Sequence, residues 1–380
     1  MTSPTPVYHV ITPGDHFSPR TGSALPTVVD GLARGAAADA RYQQYVLVQS
    51  GTWTPRYDSA DVIEYDGGPP PSRHERMLDA AAGRVGLRRP YAGRAYAPIA
   101  KRLADCPAGV VIAHNGAALL RMPALRSHRR VLYAHNDLFR SYSRSEVARV
   151  VSACDRVICV SEFLRDVMAS RAPRELRDRF RVALNGVDAE RFTPREERMP
   201  GPLRVLFVGR MIREKGADLL LDAASLLHRD DIEYLIVGSQ GFDRSAALSG
   251  FEQDLRDRSS PGVRFMPFID RTELPPLMRD QDVLVVPSRW PEPCSLTTGE
   301  GMASGLAIIA ARSGGIPEVL ADAGILVPRG DAAALAEAIK LIADDAEQRR
   351  NLTAAARARA VEHDWSHAWR TVTGALDGLR

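Results

Sequence analysis

Short apolar runs that alternate with helical patterns are the feature that most constrains this chain. Beyond residue 202 such runs recur, and a helical stretch follows most of them. Strands that alternate with helices favour parallel sheets covered by helices on both faces. The runs lie at 203–208, 234–237, 263–266, 283–286, 307–310 and 325–327. They predict a doubly wound α/β domain in the second half.

The first half shows the same alternation with less regular spacing. A helix is expected to begin near Ser23, a residue type that favours the N-cap, with Pro26 in the first turn. The 380 residues suit two domains of about 150–200 residues each. Proline and glycine at 198–202 mark the boundary, so the predicted domains are 1–200 and 201–361. The strand-like runs of the first half lie at 7–11, 45–48, 109–113, 130–134 and 156–160.

Composition excludes several classes of protein. No apolar run approaches the ~20 residues of a membrane span, and the N-terminus has no signal-peptide pattern. The four cysteines have neither metal-ligand spacing nor the density of a disulfide scaffold, so reduced thiols in a cytoplasmic protein are expected.

Charge differs between the two halves. Residues 1–200 carry 29 Lys and Arg against 21 Asp and Glu, which is +8, whereas residues 201–380 carry 21 against 26, which is −5. The basic half could attract an anionic partner, including the inner face of a membrane. Solvated arginine-rich faces are the alternative that the sequence leaves open.

The loop after the first strand of the second half is the first candidate site. Gly209 follows that strand directly, which lets the backbone approach a ligand. Arg210 and Lys215 could close on one diphosphate from two sides. Lysine occurs only three times in the chain, so its use at 215 indicates a need for a compact charge. A solvated basic loop is the alternative.

A second candidate site follows the most apolar strand. Two prolines predict an extended loop around Glu292, and a short helix is expected from near Thr297 to Gly305. Glu300 would then lie in the first helical turn. A helix N-terminus favours phosphate, and a carboxylate beside it can accept two hydrogen bonds from a ribose diol. An exposed glutamate and a dipole-satisfying one are the alternative.

These motifs resemble those of a large enzyme family. The chain is similar to the retaining nucleotide-sugar glycosyltransferases of family 4, also called group 1, from about residue 157 to the C-terminus, whereas residues 1–155 match more loosely. The matching motifs are Gly209-Arg210 with Lys215, the E-x7-E pair Glu292 and Glu300, Ala303-Ser304-Gly305, Gly314-Gly315-Ile316-Pro317-Glu318, and Asn185-Gly186-Val187-Asp188 with Phe192 and Pro194.

The resemblance implies the GT-B fold, in which two doubly wound Rossmann-like α/β domains face a central cleft. Residues 1–200 would form the acceptor-side domain and residues 201–361 the nucleotide-sugar-binding domain. A helix within 362–380 would pack back onto the first domain.

The resemblance also implies roles for single residues. Arg210 and Lys215 would bind the diphosphate and neutralise the leaving group. Glu292 would hold the hydroxyls of the transferred sugar, with His135 beside the sugar and acceptor. His114, which ends a predicted strand, could line the acceptor pocket. The residues expected to bind the donor are Gly22, Ser23, Gly209, Gly238, Phe268, Leu296, Thr297 and Glu300.

The expected reaction moves a sugar from a nucleoside diphosphate, with UDP as the default, to a hydroxyl of a sugar, aglycone or lipid. It would retain configuration and need no metal or other cofactor, and no nucleic acid is expected as a partner. The D-x-D letters at 280–282 precede a strand, which favours capping over metal binding. The alternatives are a non-catalytic nucleotide-sugar-binding or coat-type protein, and a phosphorylase or epimerase.

Overall fold

The structure is a computed structural model that describes residues 3–87, 89–197, 200–242 and 244–377. The chain divides into two compact units. The first comprises residues 1–19, 23–185 and 365–380, and the second comprises residues 20–22 and 186–364. Each unit is built on one parallel sheet.

The division differs from the predicted boundaries at 200/201 and 361/362. Val187 and Phe192 are buried in one apolar core with Leu206 and Leu284 of the second unit. The chain therefore joins the second unit before the segment 198–202, of which residues 198 and 199 lie outside the described residues. The proline and glycine residues predicted the domain boundary near 200. The buried apolar residues Val187 and Phe192 instead place it before residue 186.

The first unit contains a seven-stranded parallel sheet in the order β3-β2-β1-β4-β5-β6-β7. Its strands are β1 (Thr5–Val10), β2 (Tyr42–Gln49), β3 (Asp61–Tyr65), β4 (Val110–His114), β5 (Arg129–Ala134), β6 (Arg156–Cys159) and β7 (Phe180–Val182). Its helices before residue 186 are α1 (Ala24–Gly35), α2 (Arg73–Arg84), α3 (Pro90–Ala104), α4 (Arg144–Ala153) and α5 (Glu162–Ala169).

The second unit contains a six-stranded parallel sheet in the order β10-β9-β8-β11-β12-β13. Its strands are β8 (Leu203–Val208), β9 (Ile232–Val237), β10 (Val263–Met266), β11 (Val283–Val286), β12 (Ala307–Ala311) and β13 (Ile325–Val327). Its helices are α6 (Ala217–Leu227), α7 (Gly250–Asp257), α8 (Leu274–Arg279), α9 (Leu296–Ala303), α10 (Ile316–Leu320), α11 (Ala332–Asp344) and α12 (Ala346–Glu362). Every helix in the described part of the chain is too short or too polar to span a bilayer.

The predicted α/β class with doubly wound parallel sheets is confirmed. All six strands predicted in the second half are present. The sequence analysis missed β3 and β7, which form the two edges of the first sheet. Both are short and carry charged residues, so neither presents the apolar run that marks a strand buried on both faces.

A final helix, α13 (Trp365–Asp377), follows the second unit in sequence but belongs to the first. It packs on α1, where a side chain larger than hydrogen at Gly31 would overlap the Trp365 ring. Trp369 is 1% exposed, and its Nε1 donates to Asp39 Oδ2 at 3.2 Å. The first unit is therefore completed by residues from the far end of the chain.

Candidate functional site

The candidate site of the second unit lies where its strand order reverses. From β8, the chain builds β9 and β10 on one side, and it then builds β11, β12 and β13 on the other. Ligands of open α/β sheets bind at the carboxyl ends of the strands beside such a reversal. Here the loops after β8 and β11 meet, at residues 209–216 and 287–295.

Lys215 and Glu292 form an ion pair that joins these two loops. Lys215 Nζ donates to Glu292 Oε1 at 2.5 Å, and Ser288 Oγ donates to the same oxygen at 2.9 Å. Glu292 is only 8% exposed, so burial keeps the pair together. Glu292 Oε2 has no hydrogen bond within the described ranges, and the ammonium group can donate two more. The pair therefore offers a ligand two N–H donors from Lys215 and one acceptor, Glu292 Oε2.

Two further features of these loops bear on charge. Arg210 is exposed, and its guanidinium makes no ion pair with any residue that the structure describes. The backbone N–H groups of Arg289 and Trp290 donate to Glu214 O at 2.9 and 3.2 Å, which ties the loops together beside Lys215. Of the three positive side chains on this short loop, Lys215 is engaged by a carboxylate, Arg213 lies over the Phe251 ring, and Arg210 has neither kind of partner among the described residues.

The backbone of Glu292 is fixed by a third loop. Gly315 N donates to Glu292 O at 2.7 Å. Gly314 has φ +58°, and a Cβ atom there would overlap the backbone of Glu292. The glycine pair of the 314–318 motif therefore serves the position of Glu292, a function that the sequence analysis did not assign.

Helix α9 begins at Leu296, one residue before the predicted start. Ser295 is the N-cap, and its Oγ accepts from Thr298 N at 3.3 Å. The N–H groups of Leu296 and Thr297 precede the first acceptor inside the helix, so they remain available to a ligand. Glu300 consequently lies in the second turn, and the expectation of the first turn is wrong.

Glu300 is 4% exposed and forms an ion pair with Arg271. Arg271 lies in the loop after β10, and the sequence analysis missed it because its only signal was a position beyond a strand end. The second carboxylate oxygen of Glu300 has no hydrogen-bond partner in the described part of the chain. This carboxylate can therefore accept from a ligand without losing its arginine.

Gly209, Gly238 and Phe268 lie at or just beyond the carboxyl ends of adjacent strands. Gly209 N donates to Val237 O at 3.1 Å, and Phe268 N donates to Ser239 Oγ at 3.1 Å. Gly238 has φ +142°, and a Cβ atom there would overlap Gly209 O. The structure thus brings these three predicted residues to one edge of the sheet.

His135 and His114 lie at the carboxyl edge of the first unit. His135 follows β5 and is partly exposed, whereas His114 ends β4 and is fully buried. His114 Nδ1 lies 2.8 Å from His135 Nε2, and its Nε2 lies 2.9 Å from His9 Nδ1. The expectation that His114 lines a pocket is therefore wrong, because both of its nitrogens are used inside the sheet.

His9 was missed in the sequence analysis. It interrupts the apolar pattern of β1, and its Nε2 lies 2.9 Å from Gln44 Oε1 on β2. Burial lowers the pKa of His9 to about 4 and that of His135 to about 3, and it also lowers the pKa of His114. All three rings are therefore neutral at pH 7.

Gly22 and Ser23 lie in the loop between β1 and α1. Ser23 occupies the N-cap position, but its Oγ donates to Asp15 Oδ2 at 3.0 Å and caps no helix N–H. Burial raises the pKa of Asp15. The serine hydroxyl therefore binds a partly buried carboxyl, where the sequence predicted a helix cap.

The acidic residues at 280–282 have a structural role. Asp282 Oδ2 accepts from Arg204 N at 2.9 Å, and Asp282 also forms an ion pair with Arg195. Within residues 3–87, 89–197, 200–242 and 244–377, no group of three or more His, Cys, Asp or Glu side chains is arranged to hold a metal ion.

Comparison with known proteins identifies the family of both halves. Residues 202–345 match the family model "Glycosyl transferases group 1", and residues 25–191 match "Glycosyltransferase Family 4". A structure of Anabaena Alr3699/HepE in complex with UDP-glucose superposes with a TM-score of 0.73, over 98% of this chain and 100% of the other, at 16% identity. That likeness supports the fold alone.

Curated relatives match over shorter segments. Alpha-maltose-1-phosphate synthase of Mycolicibacterium smegmatis is 31% identical over 241 residues, which cover 57% of this chain and 61% of the relative. Spore coat protein SA of Bacillus subtilis is 28% identical over 211 residues, which cover 50% and 55%. The matches thus span little more than half the length of these relatives. The two family models together cover most of this chain, which belongs to the group 1, family 4 glycosyltransferases of the GT-B fold.

Proposed function

We propose that the protein transfers a sugar from a nucleoside diphosphate to an acceptor hydroxyl, with retention of configuration and without a divalent ion. The observation that carries this proposal is the pairing of Lys215 with Glu292 at the strand-order reversal, beside the unpaired guanidinium of Arg210 and the start of α9. A cation and a carboxylate side by side suit a ligand that carries both phosphate and hydroxyl groups.

The difficult step is the departure of the diphosphate, because negative charge builds on its oxygens. Arg210, the two remaining N–H groups of Lys215 and the N–H groups of Leu296 and Thr297 would stabilise that charge. Lys215 is held by Glu292 and the two N–H groups by the start of α9, so little reorganisation of these groups is needed as the charge develops. In this proposal they take the place of a metal ion.

The carboxylates would orient the donor. Glu292 Oε2 would accept from a hydroxyl of the transferred sugar, and the second oxygen of Glu300 from the ribose diol. The acceptor hydroxyl would attack the face that the phosphate leaves, and a phosphate oxygen would take its proton. Retention would then require no protein nucleophile. Neutral His135 would contact a hydroxyl of the sugar or acceptor.

UDP-linked sugars are the proposed donors. The nearest support is the complex of Anabaena Alr3699/HepE with UDP-glucose, a protein that shares the fold. A panel of UDP-, GDP- and ADP-sugars tested by thermal shift with EDTA would identify the base. A donor present at 100 times its Kd should stabilise the protein by ~2.7 kcal/mol. Stabilisation only when Mg²⁺ replaces EDTA would contradict the metal-free proposal.

The decisive experiment replaces Lys215 with alanine. Donor-dependent release of nucleoside diphosphate should fall by ~10²–10³, the effect of losing one stabilising donor at a developing anion. Lys340→Ala removes an exposed lysine on α11 and should leave the rate unchanged. A Lys215→Ala variant that is folded and turns over at the unaltered rate would refute the proposed role.

A non-catalytic role is the second candidate, since Spore coat protein SA is among the relatives. The assay of nucleoside diphosphate release distinguishes this role from sugar transfer. Donor binding without release of nucleoside diphosphate, with sugar, aglycone and lipid acceptors all supplied, would favour a binding or coat-type protein. Phosphate-dependent cleavage of a glycan or interconversion of the donor would favour a phosphorylase or epimerase.

We further propose that an acceptor in an anionic membrane is reached through α2. Four apolar residues on and just after this helix are highly exposed: Met77 at 64%, Leu78 at 42%, Val85 at 74% and Leu87 at 62%. Exposed arginines at 73, 76 and 84 flank them. Apolar side chains beside arginines suit the boundary between acyl chains and anionic headgroups.

A further inference from the structure

Four hydrogen-bonded side chains cross the sheet of the first unit in a continuous row. The row runs from Gln44 on β2 through His9 on β1 and His114 on β4 to His135 after β5, and these strands are neighbours in the sheet. Its links measure 2.9, 2.9 and 2.8 Å. We call these four residues the histidine row.

The strand register explains the row. His9 pairs with Val46, two residues beyond Gln44, and His114 lies two residues beyond Ile112, the partner of His9. His135 likewise lies two residues beyond Tyr133, the partner of His114. Because side chains alternate with a period of two, all four share one face and step toward the carboxyl edge. The row therefore connects the interior of the sheet with its ligand-binding edge.

The number of N–H groups on each neutral ring fixes the direction of the hydrogen bonds along the row. Gln44 Oε1 faces His9 Nε2 and can only accept, so His9 Nε2 carries the proton. His9 Nδ1 is then unprotonated and accepts through its lone pair. His114 Nε2–H then donates to His9, and His135 Nε2–H donates to His114. A neutral ring has one N–H, so His135 Nδ1 is left as an acceptor. It has no partner in the described part of the chain.

The surroundings keep the row uncharged. Tyr133 packs against two of the rings, with its ring centroid 5.3 Å from that of His114 and 4.8 Å from that of His135. Asn115 Oδ1 accepts from His135 N at 2.8 Å. No carboxylate in the described ranges is hydrogen-bonded to a ring of the row, so none would stabilise an imidazolium there.

We propose that Gln44, His9 and His114 are positioning residues that hold His135 as the neutral Nε2–H tautomer, so that its Nδ1 accepts a hydrogen bond from a ligand hydroxyl. The tautomer follows from the row alone. The assignment of the hydroxyl to the sugar or acceptor rests on the proposed function. A neutral acceptor nitrogen takes a hydrogen bond from an O–H or N–H donor and offers none to an anionic group, so His135 suits a hydroxyl of the ligand and not an ionised phosphate.

The tautomers are measurable in this 380-residue chain without any assay of turnover. With ¹⁵N-labelled histidine, long-range proton–nitrogen correlation spectra distinguish N–H from bare ring nitrogens. We expect His9, His114 and His135 to be Nε2–H at pH 7 and to stay neutral at pH 5. An Nδ1–H tautomer or an imidazolium at His135 at pH 7 would overturn the proposal.

Variants of Gln44 test how the row acts. Gln44→Leu removes the terminal acceptor, so the His135 signal should become a mixture of tautomers and kcat should fall about five-fold, the value of one hydrogen bond. In Gln44→Glu the ionised carboxylate still only accepts, so the Nε2–H signal should be present above the pH at which His9 protonates. That pH should be higher than in the wild type, because the carboxylate stabilises the imidazolium. Gln43→Leu, an exposed neighbour on β2, should change neither.

The outcomes separate this inference from the proposed function. An unchanged His135 tautomer in a folded Gln44→Leu protein would overturn the positioning role, whatever the activity. Unaltered turnover in Lys215→Ala would refute the proposed phosphate site and leave the tautomer result standing. If Gln44→Leu does not fold, the spectra of the wild type and of Gln44→Glu still test whether the row sets the tautomer of His135.

Discussion

At the scale of single residues, the site of the second unit depends on how tightly Glu292 is held. Its carboxylate accepts from Lys215 and Ser288, and its backbone carbonyl accepts from Gly315. A carboxylate that is buried and paired loses little entropy when a ligand binds. The protein therefore keeps Glu292 in place before the donor arrives.

We predict that Gly314→Ala loosens this arrangement. The new Cβ would overlap the Glu292 backbone at a left-handed φ, and that conformation alone costs about 1–2 kcal/mol. Urea unfolding should therefore show a loss of at least that size, and stabilisation by the donor should weaken as well. Gly250→Ala, where a Cβ meets open space at the start of α7, is the matched control. Equal stability of the two variants would contradict the role of Gly314.

At the scale of elements, α2 shows how one helix can have two different faces. Its buried Asp79 accepts from the N–H groups of Tyr91 and Ala92 at 3.0 and 2.8 Å and so caps α3. A capping box of Ser72 and Glu75 fixes its first turn. These contacts anchor α2, while Met77 and Leu78 on the same helix stay exposed.

We predict that the protein binds vesicles of anionic lipid through this face. The double variant Met77→Asp with Val85→Asp should reduce co-sedimentation with phosphatidylglycerol vesicles at least ten-fold, because it removes apolar contact and adds negative charge. Neutral phosphatidylcholine vesicles should bind weakly. Leu226→Asp with Val361→Asp changes two residues of the second unit that are 59% and 50% exposed and is the control.

Two outcomes would contradict lipid binding through α2. One is equal co-sedimentation of the α2 variant and its control. The other is wild-type protein that dimerises through α2 in analytical ultracentrifugation and does not bind vesicles, since the exposed residues would then serve a second copy of the chain.

At the scale of the whole molecule, the first unit is assembled from distant parts of the chain. Helix α13 comes after all of the second unit, yet Trp365 and Trp369 pack against α1 and the region before β2. Small residues at Gly31 and Gly35 permit that approach. The stability of the first unit therefore depends on residues that follow the second.

We predict that Trp369→Ala destabilises the first unit selectively. Removing a large, fully buried side chain costs about 3–5 kcal/mol. Hydrogen exchange should accelerate in α1 and β2 and stay unchanged in β8, β9 and β11. Trp53→Ala, which truncates a tryptophan that is 39% exposed, should have a small effect. Uniform acceleration across both units would contradict the division of the chain.

The amino-acid pattern was sufficient to predict the α/β class and all six strands of the second sheet. This follows because strands buried on both faces must be continuous apolar runs, and glycine must stand where backbones approach closely. Arg210, Lys215, Glu292 and Glu300 were recognisable since their motifs lie within single loops or one helix. Local pattern is sufficient wherever the neighbours in space are also neighbours in sequence.

The hydrogen-bond and ion-pair partners of the site residues, and the boundaries of the two units, became known only from the folded structure. Arg271 reaches Glu300 from another loop, and His9, His114 and His135 meet because strand register aligns residues more than a hundred positions apart. The division at 185/186 and the return of α13 likewise follow from which apolar surfaces bury each other. Burial and pairing are properties of residues brought together by folding, so no local pattern in the sequence specifies them.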